Sequence, residues 1–164
     1  GIDLVAEIVP ELARVGARMV VLGSGEPALE DRFRYLGEAF SDHLAVRIGF
    51  DLALSRRIYA GCDLFAMPSR FEPCGLGQLY AMRYGTLPIV AAVGGLRDAA
   101  GDPGTGVRFE PPTALALLRA LERAIAIVRD PDQLLAVRRA AMTRDSSWTA
   151  SAMQYVQLYR SLRS

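Results

Sequence analysis

Lysine is absent from this sequence of 164 residues, so all 19 of its basic residues are arginines. A ligand contact that demands a lysine ammonium group therefore cannot come from this chain. Basic residues number 19 and acidic residues 18, which gives a net charge of +1 with the one histidine neutral. Such a balance does not indicate a protein that binds nucleic acid or a membrane surface.

Cysteine and histidine are also scarce. The two cysteines, Cys62 and Cys74, are too few for a disulfide framework, and neither they nor His43 fall in a metal-binding spacing. We therefore expect no metal and no cofactor. The sequence contains no signal-peptide pattern and no apolar run long enough to span a bilayer. From these absences we expect a cytoplasmic protein.

The length and the hydrophobic content of 51% suit one domain, residues 1–164, with a sizeable core. Strand-like and helix-like patterns alternate, which predicts an α/β fold: a Rossmann-like, doubly wound parallel sheet with helices on both faces. The first pattern, residues 1–15, is a helix in which Pro10 predicts a kink. Because no strand and no initiator methionine precede it, we expect a fragment whose first strand lies upstream.

The remaining elements follow from hydrophobic periodicity and turn residues. Strands are predicted at residues 17–22, 44–48, 63–67, 87–93 and 107–109. Helices are predicted after Pro27, at residues 51–61, after Gly77, from Pro111–Pro112 to about Val128, from Asp130–Pro131 onward, and at residues 148–162. The aromatic residues of the last helix are most simply interpreted as core.

One glycine pattern admits two interpretations. Gly23, Gly25 and Ala28 satisfy a G-x-G-x-x-A fingerprint between a strand and a helix, and Asp51 lies downstream as a candidate ribose-binding acid. This pattern is typical of dinucleotide-binding oxidoreductases. A lone fingerprint is weak, however, and a plain turn at the end of a strand explains the same residues.

The stretch from Asp63 to Asp98 carries the clearest functional pattern. A predicted strand is followed by one acid, Glu72, and then by Gly75 and Gly77 at the start of a helix. Backbone amides at a helix start attract phosphate, and glycines let the backbone come close to it. A carboxylate beside phosphate would be repelled, so we expect Glu72 to face sugar hydroxyls or a developing positive charge. These residues therefore indicate a sugar nucleotide.

Two further features belong to the same edge of the predicted sheet. The next strand ends in Gly94–Gly95, and ligands of open parallel sheets bind at the carboxyl ends of strands. Phe50 follows Gly49 at another strand end. An exposed aromatic side chain there would stack on a base, whereas a buried one would cover the sheet edge, and the pattern alone does not choose between them.

Three motifs carry a resemblance to a known family. Residues 68–80 read Pro-Ser-Arg-Phe-Glu-Pro-Cys-Gly-Leu-x-Gln-Leu-Tyr, residues 84–88 Tyr-Gly-Thr-Leu-Pro, and residues 94–98 Gly-Gly-Leu-x-Asp. The chain thus resembles bacterial glycogen synthases and plant starch synthases. The resemblance implies the C-terminal, nucleotide-binding half of a two-domain enzyme of GT-B fold. The N-terminal acceptor-side domain would then be missing, and because the last helix packs towards that domain in the family, part of its face would be exposed.

The resemblance also implies an activity: transfer of glucose from ADP-glucose to the non-reducing end of an α-1,4-glucan, with retained configuration and without a metal. Glu72 corresponds to the family's key acid, and Tyr80 stands where other retaining GT-B enzymes have a second glutamate. Asp98 is expected to cap a turn, so one loop carboxylate does not support a covalent intermediate. The donor-binding residues implied are Gly49, Phe50, Ser69, Cys74, Gly75, Leu76, Gly77, Tyr80, Gly94 and Gly95.

The chain also departs from the family pattern. Gly77 and Val93 stand where threonine is common, so a hydroxyl contact to phosphate is expected to be lost at Gly77. The arginine and lysine that clamp the diphosphate would precede Gly1. Each missing charge-assisted contact costs about 1.5–3 kcal/mol. We therefore expect weak ADP binding and no measurable transfer by this chain alone, which leaves a non-catalytic nucleotide-binding module as an alternative.

Overall fold

The computed structural model describes residues 1–100 and 104–163, and along them helices alternate with short strands. The strands are β1 (Met19–Gly23), β2 (Leu44–Ile48), β3 (Leu64–Met67), β4 (Leu87–Ala91) and β5 (Val107–Phe109). The helices are α1 (Ile2–Ile8), α2 (Leu12–Val15), α3 (Pro27–Ala39), α4 (Leu52–Gly61), α5 (Gly77–Tyr84), α6 (Gly94–Ala99), α7 (Ala114–Arg129), α8 (Pro131–Thr143) and α9 (Trp148–Ser161).

All strand pairs are parallel, which confirms the predicted α/β class. β1 pairs with β2, while β3, β4 and β5 form a second sheet in that order. Every residue of the central strand β4 is buried, as is typical of a parallel strand covered on both faces. The main core joins the buried faces of α1 and α7 to β4 and β5.

The two sheets are separated by an apolar cleft. The cleft measures about 920 Å³ and is lined by β1 and β3 and by Ile125 of α7. Paired strands in a sheet lie about 4.8 Å apart. β1 and β3 are not paired, because the cleft lies between them. Gly1 lies against the carbonyl of Pro68, the residue that follows β3, and a Cβ added at Gly1 would overlap that carbonyl.

Local sequence signals set several helix boundaries. The kink predicted at Pro10 is confirmed, because a 3₁₀ turn at Val9–Glu11 separates α1 from α2. The Asp51 carboxylate accepts a hydrogen bond from the amide of Leu54 at 2.8 Å and caps α4. α7 begins at Ala114 rather than at residues 111–112, because Thr113 supplies its N-cap.

Two local predictions are wrong. Asp98 does not cap a turn, because it is an exposed residue within helix α6, which begins at Gly94 and Gly95. The backbone carbonyl of Asp98 accepts a hydrogen bond from Arg144 at 2.9 Å. The aromatic residues of α9 are not core: Trp148 is 89% exposed, and no residue of the helix is buried. An apolar helix face is buried only where another surface packs on it, and the described residues supply none for α9.

Candidate functional site

The loop from Pro68 to Leu76 joins β3 to α5, and an ion pair fixes its first half. Arg70 donates two hydrogen bonds to the Asp3 carboxylate of α1, with N–O distances of 2.5 and 2.6 Å. This bidentate geometry is the strongest that an arginine and a carboxylate form. The bonds from Arg70 hold the pKa of Asp3 well below its ordinary value. The loop that carries Glu72 is thus tied to the first helix.

This ion pair predicts a dependence of stability on acid. Because the pKa of Asp3 is lower in the folded protein than its ordinary value of 3.8, the pair stabilises the fold above about pH 4. The contribution is lost as the pH falls below that value. We expect Asp3→Asn to lower the melting temperature at pH 7, and the difference from wild type to shrink towards zero below pH 4. A constant difference across that range would contradict this assignment.

Glu72 lies half-buried in the second half of the loop. Its backbone carbonyl accepts a hydrogen bond from the amide of Gly95 at 3.1 Å. In the part of the chain that the structure describes, no residue forms a hydrogen bond or ion pair with its carboxylate. The acid is therefore positioned by its backbone and leaves its carboxylate available to a ligand.

Gly94 and Gly95 lie directly beneath this loop. A Cβ added at Gly94 would overlap the Glu72 carbonyl oxygen, and one added at Gly95 would lie 2.6 Å from the carbonyl oxygen of Pro73. Gly94 also has a φ of +44°, in the left-handed region that favours glycine. The pair is therefore required for the close packing of two backbone segments, a role that the sequence does not reveal.

The start of α5 presents free backbone donors next to Glu72. In the described ranges no group accepts a hydrogen bond from the amides of Gly75, Leu76 or Gly77. The Cys74 thiol and the Leu76 side chain are exposed beside them. Unpaired amides at a helix start carry the positive end of the helix dipole, so this region favours an anion.

Gly77 lies beside an aromatic cluster formed by Tyr59, Phe65, Tyr80 and Tyr84. The Tyr59 ring packs against the other three, with centroid separations of 5.1 to 6.3 Å. Burial, with a smaller contribution from Tyr80, raises the pKa of Tyr59. A Cβ at Gly77 would lie 3.2 Å from the Phe65 ring. Gly77 thus makes room for the cluster. The family's threonine at this position indicated only a lost hydroxyl contact and did not reveal this packing role.

Gly49 and Phe50 follow β2, in the other sheet. Gly49 has a φ of +132° and donates its amide to the carbonyl of Gly23 at 2.8 Å. Phe50 is 89% exposed, so it does not cover the sheet edge. Ser69 is half-buried next to Pro68. The structure thus brings together Glu72, Cys74, Gly94 and Gly95, while Gly49 and Phe50 lie at the end of a separate strand.

The glycines of the possible dinucleotide fingerprint already have internal partners. Gly25 donates its amide to the Glu30 carboxylate at 3.0 Å, so this amide is not free for a phosphate. Asp51 is engaged as the cap of α4. These contacts support the plain-turn interpretation of residues 23–28.

No three histidine, cysteine or acidic side chains in residues 1–100 and 104–163 lie close enough together to hold a metal ion. Across the same residues, no helix combines the length and the apolar character that crossing a bilayer requires.

Known proteins with similar sequences confirm the resemblance. Glycogen synthases of Anaeromyxobacter sp. (strain K) and Xanthomonas campestris pv. campestris (strain 8004) are 48% and 45% identical to this chain, over 99% and 97% of it. The chain covers 35% and 34% of their lengths, and so spans about a third of the curated relatives that it matches.

Solved structures agree. The catalytic domain of starch synthase IV from Arabidopsis thaliana, bound to ADP and acarbose, matches 97% of this chain with a TM-score of 0.87 and 35% identity, and the match covers 35% of that chain. Sucrose-phosphate synthase from Thermosynechococcus elongatus matches 96% of this chain with a TM-score of 0.71 and 28% identity, over 42% of its own chain. The family model described as "Glycosyl transferases group 1" matches residues 1–126, so this chain belongs to the group 1 glycosyltransferases.

Proposed function

We propose that this chain is the donor-binding part of a retaining glucosyltransferase of glycogen synthesis. In this proposal the enzyme moves glucose from ADP-glucose to the non-reducing end of an α-1,4-glucan. The observation that carries the proposal is the half-buried Glu72, whose carboxylate lies beside the amides at the start of α5; neither the carboxylate nor these amides have a partner among the described residues. An acid for the hexose and donors for the diphosphate then lie on one short loop.

The roles follow from the charges. The amides of Gly75, Leu76 and Gly77 bind the phosphate of the donor and stabilise the negative charge that grows on it as the glycosidic bond breaks. Glu72 contacts the sugar and stabilises the positive charge that develops at its anomeric carbon. With a single loop carboxylate, attack on the same face of the sugar requires less of the protein than a covalent intermediate. The leaving diphosphate accepts the proton of the acceptor hydroxyl.

Two observations support ADP as the leaving group. The similar starch synthase structure is described with ADP bound, and Phe50 offers an exposed ring on which an adenine could stack. In the proposal Tyr80 and Ser69 line the donor site, no metal takes part, and the enzyme works in the cytoplasm. These last points stay predictions.

The proposed enzyme is longer than this chain and includes an acceptor-side domain and a further strand. The apolar cleft between β1 and β3 supports the strand. Gly1 lies at the carboxyl end of β3, so an extended segment leading into it would run parallel to β3 through the cleft. A strand there would pair with both neighbouring edges and join the two sheets into one.

Hydrogen exchange tests for this strand within the protein at its natural length. An interior strand has both sets of alternating amides bonded, whereas an edge strand has one set bonded and the other free. We expect consecutive amides of β1 and β3 to exchange slowly, and those of the edge strands β2 and β5 to alternate between slow and fast. Alternating exchange in β1 and β3 would show that the cleft is not filled by a strand.

The function itself is tested by donor binding and transfer. We expect ADP to raise the melting temperature of the full-length protein more than UDP, and NAD to leave it unchanged. Glucose transfer from ADP-glucose to glycogen is then measured with the same preparation. Protection by ADP without transfer would identify a non-catalytic nucleotide-binding module, and protection by NAD alone would identify a dinucleotide-binding domain.

A further inference from the structure

Gln78, in the first turn of α5, is fully buried although its side chain is polar. Its Nε2 donates to the carbonyl oxygen of Cys74 at 3.0 Å and to that of Gly75 at 2.8 Å. The two hydrogens of one amide group are thus engaged by two consecutive carbonyls. The reverse orientation of the amide would place Oε1 against both carbonyl oxygens and lose both bonds, so the contacts fix the orientation.

These two bonds determine where the neighbouring N–H groups point. In a trans peptide the C=O and N–H bonds point in opposite directions. Because the carbonyl of Cys74 faces the buried Gln78 side chain, the amide of Gly75 points away from it. The carbonyl of Gly75 orients the amide of Leu76 in the same way. Both amides lack an acceptor among the described residues, so Gln78 turns two free donors outwards.

Gly75 fits this arrangement in two respects. Its φ of +75° lies in the left-handed region, and a Cβ there would lie 2.6 Å from the Oε1 atom of Gln78. That oxygen is itself buried and has no hydrogen-bond partner in the described structure. An unpaired buried acceptor destabilises the folded protein, so a contribution to stability does not explain why a glutamine is buried here. Its two donated bonds, which shape the loop, do explain it.

We infer that Gln78 is a positioning residue for the leaving diphosphate: it never touches the donor, but it holds the Gly75 and Leu76 amides in the orientation that binds phosphate. This inference rests on the proposed function and adds a residue to it. The recognised chemistry is the diphosphate of a nucleoside diphosphate. Adenosine, which has no phosphate, does not depend on these amides.

The test compares ADP with adenosine in the full-length protein. Gln78→Met keeps the length and approximate volume of the side chain but removes both donated bonds. We expect it to weaken ADP binding by about tenfold or more and to change adenosine binding by less than about twofold. Thr86→Val is the matched control, because it also removes a buried hydrogen-bond donor. The Thr86 hydroxyl donates to the carbonyl oxygens of Tyr59 and Cys62. Thr86→Val does not alter the loop from Pro68 to Leu76, so we expect the ratio of ADP affinity to adenosine affinity to stay at its wild-type value.

A merely structural role predicts a different result, in which ADP and adenosine affinities fall together in both variants. That outcome, or an unchanged ADP affinity in Gln78→Met, overturns the inference while ADP binding by the wild type still supports the proposed function. Failure of the wild type to bind ADP at all overturns the proposed function instead.

A second measurement needs no variant. In the wild type, we expect the NMR signals of the Gly75 and Leu76 amides to shift on addition of ADP and not on addition of adenosine. If the protein binds ADP while these two signals stay in place, the inference is wrong.

Discussion

We expect Glu72→Gln to lower the proposed transfer of glucose from ADP-glucose by about 10²–10³-fold in the full-length protein, because that is the usual cost of removing one preorganised electrostatic group. Glutamine keeps the shape of the side chain but not its charge. The carboxylate is half-buried and has no partner among the described residues, so the fold loses no contact. The loss should therefore fall on kcat, while the melting temperature and ADP affinity stay near the wild-type values.

Two control variants sharpen this experiment. Glu38→Gln removes an exposed carboxylate of α3 and should leave transfer unchanged. Asp98→Asn tests the exposed acid of α6 and should reduce transfer by less than about tenfold. A Glu72→Gln enzyme that retains wild-type kcat would falsify the role assigned to this acid.

Gly95→Ala and Gly94→Ala should destabilise the protein by about 1–3 kcal/mol and weaken ADP binding at the same time. A Cβ at Gly95 would lie 2.6 Å from the Pro73 carbonyl oxygen and 2.7 Å from the Cα of Cys74. Backbone atoms cannot move aside as a flexible side chain can, so the loop that carries Glu72 must shift. Gly94→Ala adds the strain of a φ of +44° to a more severe overlap, and we expect the larger effect there.

Gly25→Ala provides the matched control, because a Cβ at that position meets no atom within 4 Å and its φ is not in the left-handed region. We expect its free energy of unfolding, measured by urea denaturation, to stay within about 0.5 kcal/mol of wild type. Equal destabilisation by Gly25→Ala and Gly95→Ala would mean that lost glycine flexibility, rather than contact between the two loops, causes the effect.

Local signals in the sequence were sufficient for much of the fold. The strand at residues 44–48, the break at Pro10, the Asp51 cap and the start of α8 at Pro131 all depend on a few neighbouring residues. Steric limits on proline and unpaired amides at helix starts act within one turn of the chain. For that reason these features could be predicted without knowing the remainder of the structure.

The errors concern contacts between distant segments. Hydrophobic periodicity shows that α9 has an apolar face, but whether that face is buried depends on a surface from elsewhere, and its residues are exposed. Strand pairing likewise depends on which segments lie next to each other, so the sequence predicted the parallel α/β fold but not which strands pair. Gln78 belongs to the motif at residues 68–80, yet its bonds to the carbonyls of Cys74 and Gly75 depend on a backbone path that no spacing rule specifies.

The sequence by itself determined the alternation of strands and helices, the family, and the loop in which one acid precedes a glycine-bearing helix start. These properties follow from side-chain periodicity and short-range backbone sterics, which are written into consecutive residues. Only the tertiary structure decided that Gly94 and Gly95 support the Glu72 loop and that a buried glutamine orients its amides. Those roles depend on close approaches between backbone segments, and such approaches exist only once the chain has folded.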